Sequence, residues 1–250
     1  MAIYEKFARA YSKGGYSSYS ERAVEMLLPV LERLDIHPTA VLDLACGDGT
    51  FAIGMAKRGF RVTGADASLE MLKIAREKAR EENAQVEFLQ RDMKELDFLG
   101  QFDLVTCWFD SLNYLLEMRD LERAFDGVSR ALLPGGFFVF DMNTVYGLAV
   151  GWQRLPVQVQ VDSEDVLVLS RCSFDHEKSI ATMRITGFMW EGDSWTRMDE
   201  EHKERGYTLA EIRQALGKAG FEEMFCVGNL PEMTPAKPDN GRVWFLVKKA

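Results

Sequence analysis

VLDLACGDGTFA, residues 41–52, is the stretch of sequence that decides the fold. Its first five residues are apolar except for one acid, a pattern typical of a strand buried on both faces of a sheet. Gly47, Gly49 and Ala52 then form a G-x-G-x-x-A pattern at the junction between this strand and a helix. Such a turn commonly binds a nucleotide, because the helix N-terminus offers free amide groups, but it can also be merely a tight turn.

Strands and helices alternate around this turn. A parallel α/β sheet produces this order, because a crossover between parallel strands usually needs a helix. The hydrophobic spacing predicts strands at 61–65, 86–90, 102–107 and 137–141, and near 222–227 and 242–248. It predicts helices at 20–34 and 68–82, each after a serine cap, at 50–58 and 119–132, and from Thr208 to Gly220. The sequence therefore predicts an α/β fold.

From about residue 147 the pattern changes to short strands separated by turn-like clusters. These strands are predicted at 157–161, 166–172, 180–190 and 194–199. The chain then divides into a core at 1–146 and 203–250, with an N-terminal helical lid, and an antiparallel β insertion at 147–202. The insertion is expected to cap the side of the core where a second substrate, the acceptor, would bind. Pairing of insertion strands between two chains would give a homodimer, but nothing in the sequence selects it.

The composition limits which binding partners and which cell compartment we expect for this protein. The 250 residues contain 30 Lys+Arg and 39 Asp+Glu, a net charge of −9, which disfavours nucleic acid and favours a small molecule as the partner. The four cysteines are scattered without metal-ligand spacing, so we expect reduced thiols in a cytoplasmic protein and no bound metal. The lack of a long apolar run predicts no membrane contact.

Two acids flank the glycine-rich turn and bear on the charge of its ligand. Asp43 and Asp48 would repel the pyrophosphate of a dinucleotide in a site of reduced dielectric. S-adenosylmethionine carries a sulfonium and an ammonium instead, and its carboxylate can use helix N-terminal amides. The acids therefore favour S-adenosylmethionine over NAD.

Further acids follow the next two strands. Asp66 lies 23 residues after the acid of the first strand, a spacing at which an acid can accept hydrogen bonds from both ribose hydroxyls. Asp92 follows the third strand, where it could accept from an adenine amino group while Met71 and Met93 contact the ring. Each has a simpler alternative, because the acids can cap a helix or a turn and the methionines can be ordinary core residues.

Motifs in this order resemble those of a known family. DLACGDG, GADAS, RDM, FDLV and ALLPGG together are similar to the class I methyltransferases, which use S-adenosylmethionine and release S-adenosylhomocysteine. The resemblance covers residues 40–142 closely and 208–248 more loosely. YEKFARAY, FDSLNYL and DEEHKERGYT resemble a group of small bacterial members with an antiparallel insertion over the active site. The resemblance implies a Rossmann-like sheet of seven strands in the order 3-2-1-4-5-7-6, with the last strand antiparallel.

The resemblance also assigns cofactor contacts. It places Asp43, Ala45, Gly47 and Gly49 at the methionine end of the cofactor, Asp66 at the ribose, and Asp92 with Met93 at the adenine. Ala67, Met71 and Trp108, which adjoin these motifs, complete the predicted cofactor-binding residues. Relatives have an acid after the tyrosine near the end of the first segment, whereas Ser12 follows Tyr11 here. Tyr11 is a candidate catalytic side chain of the lid, or a staple that pins the N-terminal helix to the sheet.

Residues for the methyl acceptor are expected beyond the carboxyl ends of the strands. Asp110 and Asn113 follow the fourth strand and are candidates for this role. His202 lies in a segment that resembles one placed over the active site, which makes it a candidate general base, although a lone histidine is more often structural. Arg205 could orient an acceptor carboxylate, or pair with Glu201 if the segment is helical.

The sequence thus predicts an S-adenosylmethionine-dependent methyltransferase that acts on an oxygen or nitrogen atom of a small molecule. Two alternatives stay open: a protein that binds S-adenosylmethionine without chemistry, and an NAD-dependent oxidoreductase with the same type of turn. The acids at positions 43 and 48 argue against the second alternative.

Overall fold

Twelve β-strands and six α-helices make up the part of the chain that a computed structural model describes, which is Tyr4 and residues 7–250. The predicted lid therefore lies partly outside the described residues, at positions 1–3, 5 and 6. The strands are β1 (Ala40–Leu44), β2 (Arg61–Asp66), β3 (Val86–Gln90), β4 (Phe102–Cys107), β5 (Leu132–Asn143), β6 (Gln158–Asp162), β7 (Val166–Asp175), β8 (Ile180–Trp190), β9 (Trp195–Arg205), β10 (Phe221–Asn229), β11 (Thr234–Pro235) and β12 (Arg242–Lys249). The helices are α1 (Ala8–Lys13), α2 (Ser17–Arg33), α3 (Thr50–Ala56), α4 (Leu69–Glu81), α5 (Met118–Ala131) and α6 (Leu209–Lys218).

Eight strands form one central sheet in the order β3-β2-β1-β4-β5-β12-β10-β11. Strands β1 to β5 run parallel, and β12 is antiparallel to both β5 and β10. This confirms the predicted order 3-2-1-4-5-7-6, with β10 and β12 as the sixth and seventh strands. β11 is an unpredicted addition of two residues that pairs with β10.

Helices cover both faces of the central sheet, as the apolar sequence of β1 requires. β1 is buried over its whole length, and its successive side chains point to opposite faces. Val41 packs in the cluster that contains residues of α2, α3 and α4, whereas Leu42 packs in the cluster that contains residues of α5 and α6. The core therefore has three layers, with the carboxyl ends of the parallel strands open to a ligand at one edge.

The helix starts follow two of the three predicted caps. The Ser68 hydroxyl accepts a hydrogen bond from a backbone amide of α4, and Thr208 forms a reciprocal capping box with Glu211 at the start of α6. α2 instead begins at Ser17, three residues before the predicted start. The Ser17 hydroxyl donates to Asp48 at 2.6 Å, and this bond holds the extra turn of α2 against the glycine-rich turn.

A second sheet forms the cap. Strands β6 to β9 make an antiparallel meander in chain order. Its inner face packs on α1 and on Met71, which lies in the first turn of α4 just after the carboxyl end of β2. β9 continues without a break to Arg205, across position 202 where the sequence divides insertion from core. Within residues 4 and 7–250, none of the helices combines the length and the apolar character needed to cross a bilayer.

Candidate active site

A cavity of about 480 Å³ opens at the carboxyl ends of the parallel strands. Nine of the ten predicted cofactor-binding residues line it, and Gly49 does not. Tyr11 also lines the cavity, whereas the other predicted catalytic residues lie outside its lining. The nine are Asp43, Ala45, Gly47, Asp66, Ala67, Met71, Asp92, Met93 and Trp108. The four outside are Asp110, Asn113, His202 and Arg205.

The glycine-rich turn needs its two glycines for different reasons. Both have left-handed backbone conformations, with φ of 55° at Gly47 and 75° at Gly49. A Cβ atom at Gly49 would lie 2.8 Å from the ring of Phe88 and 2.9 Å from Ala75, so this glycine lets α3 pack closely on its neighbours. A Cβ atom at Gly47 would meet only Met71, at 3.3 Å, and Gly47 faces the cavity. Gly47 therefore allows a ligand to approach the turn, and Gly49 allows the helix to pack closely.

Asp43 is the acid in the cavity whose charge is least compensated. Thr106 on the neighbouring strand β4 donates its hydroxyl to Asp43 Oδ1 at 3.1 Å. Asp43 Oδ2 is buried and has no hydrogen-bond partner among the described residues. Burial, with a smaller contribution from neighbouring acids, raises the pKa of Asp43 to about 8. A buried carboxyl oxygen without a partner, in a cavity wall, fits the ammonium group of S-adenosylmethionine.

Asp48, the second acid of the turn, is already compensated. It accepts hydrogen bonds from Ser17 and Thr50, and Lys78 Nζ lies 3.4 Å from its Oδ2. Of these two acids, only Asp43 therefore has a buried carboxyl oxygen left without a partner among the described residues. Asp48 instead joins the starts of α2 and α3 to α4.

Asp66 and Asp92 combine a local structural role with a place in the cavity wall. Asp66 Oδ2 accepts from the Gly47 amide at 2.9 Å and its Oδ1 from the Ser68 amide at 2.8 Å. Burial raises the pKa of Asp66, while these amides oppose the shift. Asp92 accepts from the Lys94 amide at 2.9 Å and caps a short 3₁₀ turn. Each carboxylate can accept more than one further hydrogen bond, so these contacts leave capacity for a ribose or an adenine.

Four aromatic side chains form a further part of the cavity wall. We call Tyr4, Tyr11, Phe109 and Tyr114 the aromatic wall, and all four line the cavity. Tyr11 stacks on Tyr16 with ring centroids 4.9 Å apart and meets Tyr4 edge-on at 5.5 Å. Burial raises the pKa of Tyr4, Tyr11 and Tyr114, so the three phenols are neutral near pH 7. The aromatic wall therefore offers apolar faces and neutral hydroxyl groups.

His202 lies directly behind the aromatic wall. Its side chain is buried, with Nδ1 2.8 Å from the Tyr114 hydroxyl and Nε2 3.0 Å from Glu200 Oε1. The Glu200 carboxylate also accepts the backbone amides of Tyr4 at 2.7 Å and Phe7 at 3.2 Å, which ties the N-terminal segment to β9. Burial acts to raise the pKa of Glu200, but the hydrogen bonds from His202 and these amides outweigh it and hold the pKa below its usual value.

Asn113 and Arg205 hold backbone groups in place. Asn113 Nδ2 donates to the carbonyl oxygens of Asn143 at 2.9 Å and Arg205 at 2.8 Å. Arg205 pairs with Glu211 at 3.0 Å. The alternative pairing with Glu201 required a helical segment, and it does not form because the segment is a strand. Asn113 and Arg205 thereby join β5, β9 and α6 behind the cavity.

Asp110 belongs to a buried polar network that the sequence did not predict. Its Oδ1 accepts from Arg242 at 2.8 Å and its Oδ2 from Asn143 at 2.6 Å. Arg242 also pairs with Asp141. Burial, reinforced by the charge of Asp110, raises the pKa of Glu204 well above its usual value.

This network fixes the shape of the aromatic wall at Phe109. Phe109 and Asp110 both have left-handed backbone conformations, with φ of 57° and 54°. Their amides donate to the Asp141 carboxylate at 2.7 and 3.1 Å, which compensates the strain. The Phe109 ring stacks on Tyr19 with centroids 4.7 Å apart. Asp141 and Arg242 therefore hold Phe109 where its ring meets the cavity.

A parallel sheet of this order, with a glycine-rich turn after β1 and acids after the first three strands, defines an α/β fold of the methyltransferase type. Residues 41–136 match a family described as a methyltransferase domain. YqeM of Bacillus subtilis (strain 168), named as a methyltransferase, is 32% identical over 254 residues, which cover 99% of this chain and 98% of that protein. GWCH70_2453 of Geobacillus sp. (strain WCH70), also named as a methyltransferase, is 32% identical over 217 residues, 84% of each chain.

A solved structure agrees over the whole length. The S-adenosylmethionine-dependent methyltransferase from Clostridium acetobutylicum ATCC 824 is 27% identical, covers 100% of both chains and has a TM-score of 0.86. The chain therefore belongs to the class I S-adenosylmethionine-dependent methyltransferases. It is an enzyme, and S-adenosylmethionine is its methyl donor. The unpartnered oxygen of Asp43 and the close approach allowed at Gly47 fit this donor.

Proposed function

We propose that this enzyme transfers the methyl group of S-adenosylmethionine to an oxygen or nitrogen atom of a small molecule. The observation that carries the proposal is the single cavity that joins Asp43, Asp66 and Asp92 to the aromatic wall. The first three are polar groups suited to a nucleoside and an amino acid, whereas the wall is suited to a second, less polar molecule. Donor and acceptor would then meet inside one cavity.

The donor is held by acidic side chains and by a backbone turn that can approach it closely. Asp43 faces the ammonium group, and Gly47 brings the turn close to the amino-acid end. Asp66 accepts from the ribose hydroxyls through the lone pairs that the Gly47 and Ser68 amides leave open. Asp92 accepts from the adenine amino group. S-adenosylmethionine itself supplies an activated methyl group, so the protein mainly aligns the acceptor and excludes water.

The acceptor is small because the space is small. About 480 Å³ must hold the donor and the acceptor together, and Tyr4 and Tyr11 line this space. Neutral phenols can orient an acceptor O–H or N–H group by hydrogen bonding, and aromatic faces contact its apolar parts. A net charge of −9 disfavours nucleic acid as the acceptor.

An acceptor screen tests this proposal. The purified protein is incubated with S-adenosylmethionine and a panel of phenols, quinols, primary amines and secondary amines, and S-adenosylhomocysteine release is measured with the product mass. We expect turnover of at least one class, with the new methyl group on oxygen or nitrogen by NMR. Asp43→Ala should abolish turnover, whereas Asp126→Asn, an exposed change on α5, should not. Methylation of carbon or of a macromolecule, or failure to bind the donor, would overturn the proposal.

A further inference from the structure

We propose that Tyr114, His202 and Glu200 form a proton relay that removes the proton of the acceptor atom. The inference deepens the proposed function and rests on it. It narrows the acceptor to a hydroxyl compound or an N–H compound whose heteroatom loses its proton during methyl transfer. Tyr114 is the group that touches the acceptor, and His202 and Glu200 act through it.

The geometry of the three side chains supports a relay. Tyr114 lines the cavity, and its hydroxyl is 2.8 Å from His202 Nδ1. His202 Nε2 is 3.0 Å from Glu200 Oε1. The His202 side chain is only 3% exposed and is absent from the cavity lining, so it reaches the acceptor only through the phenol. A hydrogen bond from Tyr114 to His202 and a close approach of His202 to Glu200 thus connect the cavity to this carboxylate.

The hydrogen bonds also set the direction of proton transfer. Glu200 accepts from two backbone amides, so its oxygens act as acceptors and favour a hydrogen on His202 Nε2, which lies 3.0 Å away but is not aligned in a hydrogen bond among the described residues. The Nδ1 lone pair of the neutral ring then points at the Tyr114 hydroxyl, which must donate to it. Burial, reinforced by the neighbouring Tyr4 and Asp110, disfavours the ionised form of Tyr114. The phenol therefore passes a proton on and does not store a negative charge.

The proton balance is simple. Methyl transfer forms a bond between the acceptor atom and carbon, breaks the carbon–sulfur bond and leaves its electron pair on sulfur. The acceptor proton is then surplus, and it passes to Tyr114 Oη as the phenolic proton passes to His202 Nδ1. The imidazolium is held beside Glu200 until solvent takes the proton. No oxidant or further reactant is needed.

The Glu200 carboxylate also contacts the backbone next to the cavity. It accepts the amides of Tyr4 and Phe7, and Tyr4 lines the cavity. The side chain that lies beside His202 therefore also holds a residue of the aromatic wall.

Nitrogen NMR on histidine-labelled protein tests the direction of the relay without turnover. The chain has three histidines, and His202→Gln identifies the relevant signals by their loss. In the complex with S-adenosylhomocysteine near pH 8 we expect a neutral ring with its hydrogen on Nε2 and a hydrogen-bonded Nδ1. Tyr114→Phe should shift the Nδ1 signal, and Tyr16→Phe should not. A ring protonated on Nδ1 in this complex cannot take the phenolic proton and would overturn the inference.

Kinetics with the acceptor found in the screen test the function of the relay. Tyr114→Phe and His202→Gln should each lower kcat by about 10²–10⁴-fold while changing KM and donor affinity by less than about threefold. Glu200→Gln should also lower kcat, and Tyr16→Phe serves as the matched control. A loss confined to KM or to stability, or an acceptor atom with no proton to lose, contradicts the relay and leaves the methyltransferase function intact. A protein that methylates none of the panel contradicts the proposed function, and the NMR result still decides the relay.

Discussion

Cofactor affinity should depend on pH through Asp43. The carboxyl group is buried, one oxygen accepts from Thr106, and the other has no partner among the described residues. With a pKa of about 8, Asp43 is mostly protonated at pH 7 in the free protein. An ammonium group binds the ionised form, so a proton must leave Asp43 when S-adenosylmethionine or S-adenosylhomocysteine binds.

The raised pKa sets the size of this effect. Relative to fully ionised Asp43, affinity should be weaker by about 100-fold at pH 6, about tenfold at pH 7 and about twofold at pH 8. The ligand's own α-amino group loses its proton near pH 8, so affinity should fall again at higher pH. The dissociation constant should therefore pass through a minimum near pH 8, about 20-fold below its value at pH 6.

Calorimetric titration with S-adenosylhomocysteine from pH 6 to 9, in buffers of different ionisation enthalpy, measures both affinity and proton release. We expect nearly one proton released at pH 6.5 by the wild-type protein and none by Asp43→Asn, whose affinity should stay flat below pH 7.5. Asp126→Asn is the matched control. Wild-type affinity that does not change between pH 6 and 8, or an Asp43→Asn variant with the same slope, would refute the argument.

The same group affects stability. In the unfolded chain Asp43 ionises near its ordinary pKa of about 4. Between this value and about 8 the folded protein holds a proton that the unfolded protein lacks. The contribution of Asp43 to the free energy of unfolding is therefore fully present below about pH 4 and is lost as pH rises through about 8. Without ligand, the free energy of unfolding should fall less between pH 4 and pH 8 in the Asp43→Asn variant than in the wild-type protein.

Three further changes have defined outcomes. Gly49→Ala should lower the free energy of unfolding by about 2–4 kcal/mol because alanine is strained in the left-handed conformation and its Cβ atom would clash with Phe88. Chemical denaturation measures this loss, and a loss below about 1 kcal/mol would contradict the packing role of Gly49. Asp66→Ala should weaken S-adenosylhomocysteine binding by about 1.5–3 kcal/mol in calorimetry, and unchanged affinity would refute the ribose assignment. Arg242→Gln should lower the free energy of unfolding by about 3–5 kcal/mol because it leaves Asp141 buried without its cation. A variant that unfolds at the same denaturant concentration as the wild-type protein would show that the pair is dispensable.

The core and the donor side of the cavity could be predicted from the sequence because both depend on local pattern. The apolar run of β1, the glycines after it and the acids after β2 and β3 lie close together along the chain. The carboxyl ends of parallel strands meet at one edge, so these residues converge without any long-range information. The resemblance supplied the strand order, which spacing alone does not determine.

The inner face of β9 could not be predicted in the same way. Met198, His202 and Glu204 are buried and Glu200 is partly buried, whereas the residues between them are mostly exposed. Burial therefore alternates as in any half-buried strand, but both faces are polar, so hydropathy shows no alternation. The sequence predicted a strand only as far as residue 199. The run of charges after it suggested a solvated face or a helix, and its strand structure became visible only from the pairing with β8.

Tyr114 and the Arg242 network were missed for a different reason. Tyr114 lies in the stretch predicted for the acceptor side, where the sequence drew attention to Asp110 and Asn113. Asp110 and Arg242 are 132 positions apart, and they meet because β12 pairs with β5. A contact of this kind depends on register between distant strands, which one sequence does not reveal.

Charge explains why the polar groups nominated for catalysis lie one layer behind the cavity. The cavity must admit a sulfonium near Asp43, and every additional bare carboxylate there would carry its own desolvation cost. Arg242 compensates Asp110 and Asp141 behind the aromatic wall instead. The surface left for the acceptor is aromatic, and its rings attract a cation without a counter-charge. A proton that leaves the acceptor must then cross a phenol, and Tyr114 is the wall phenol that hydrogen-bonds a histidine.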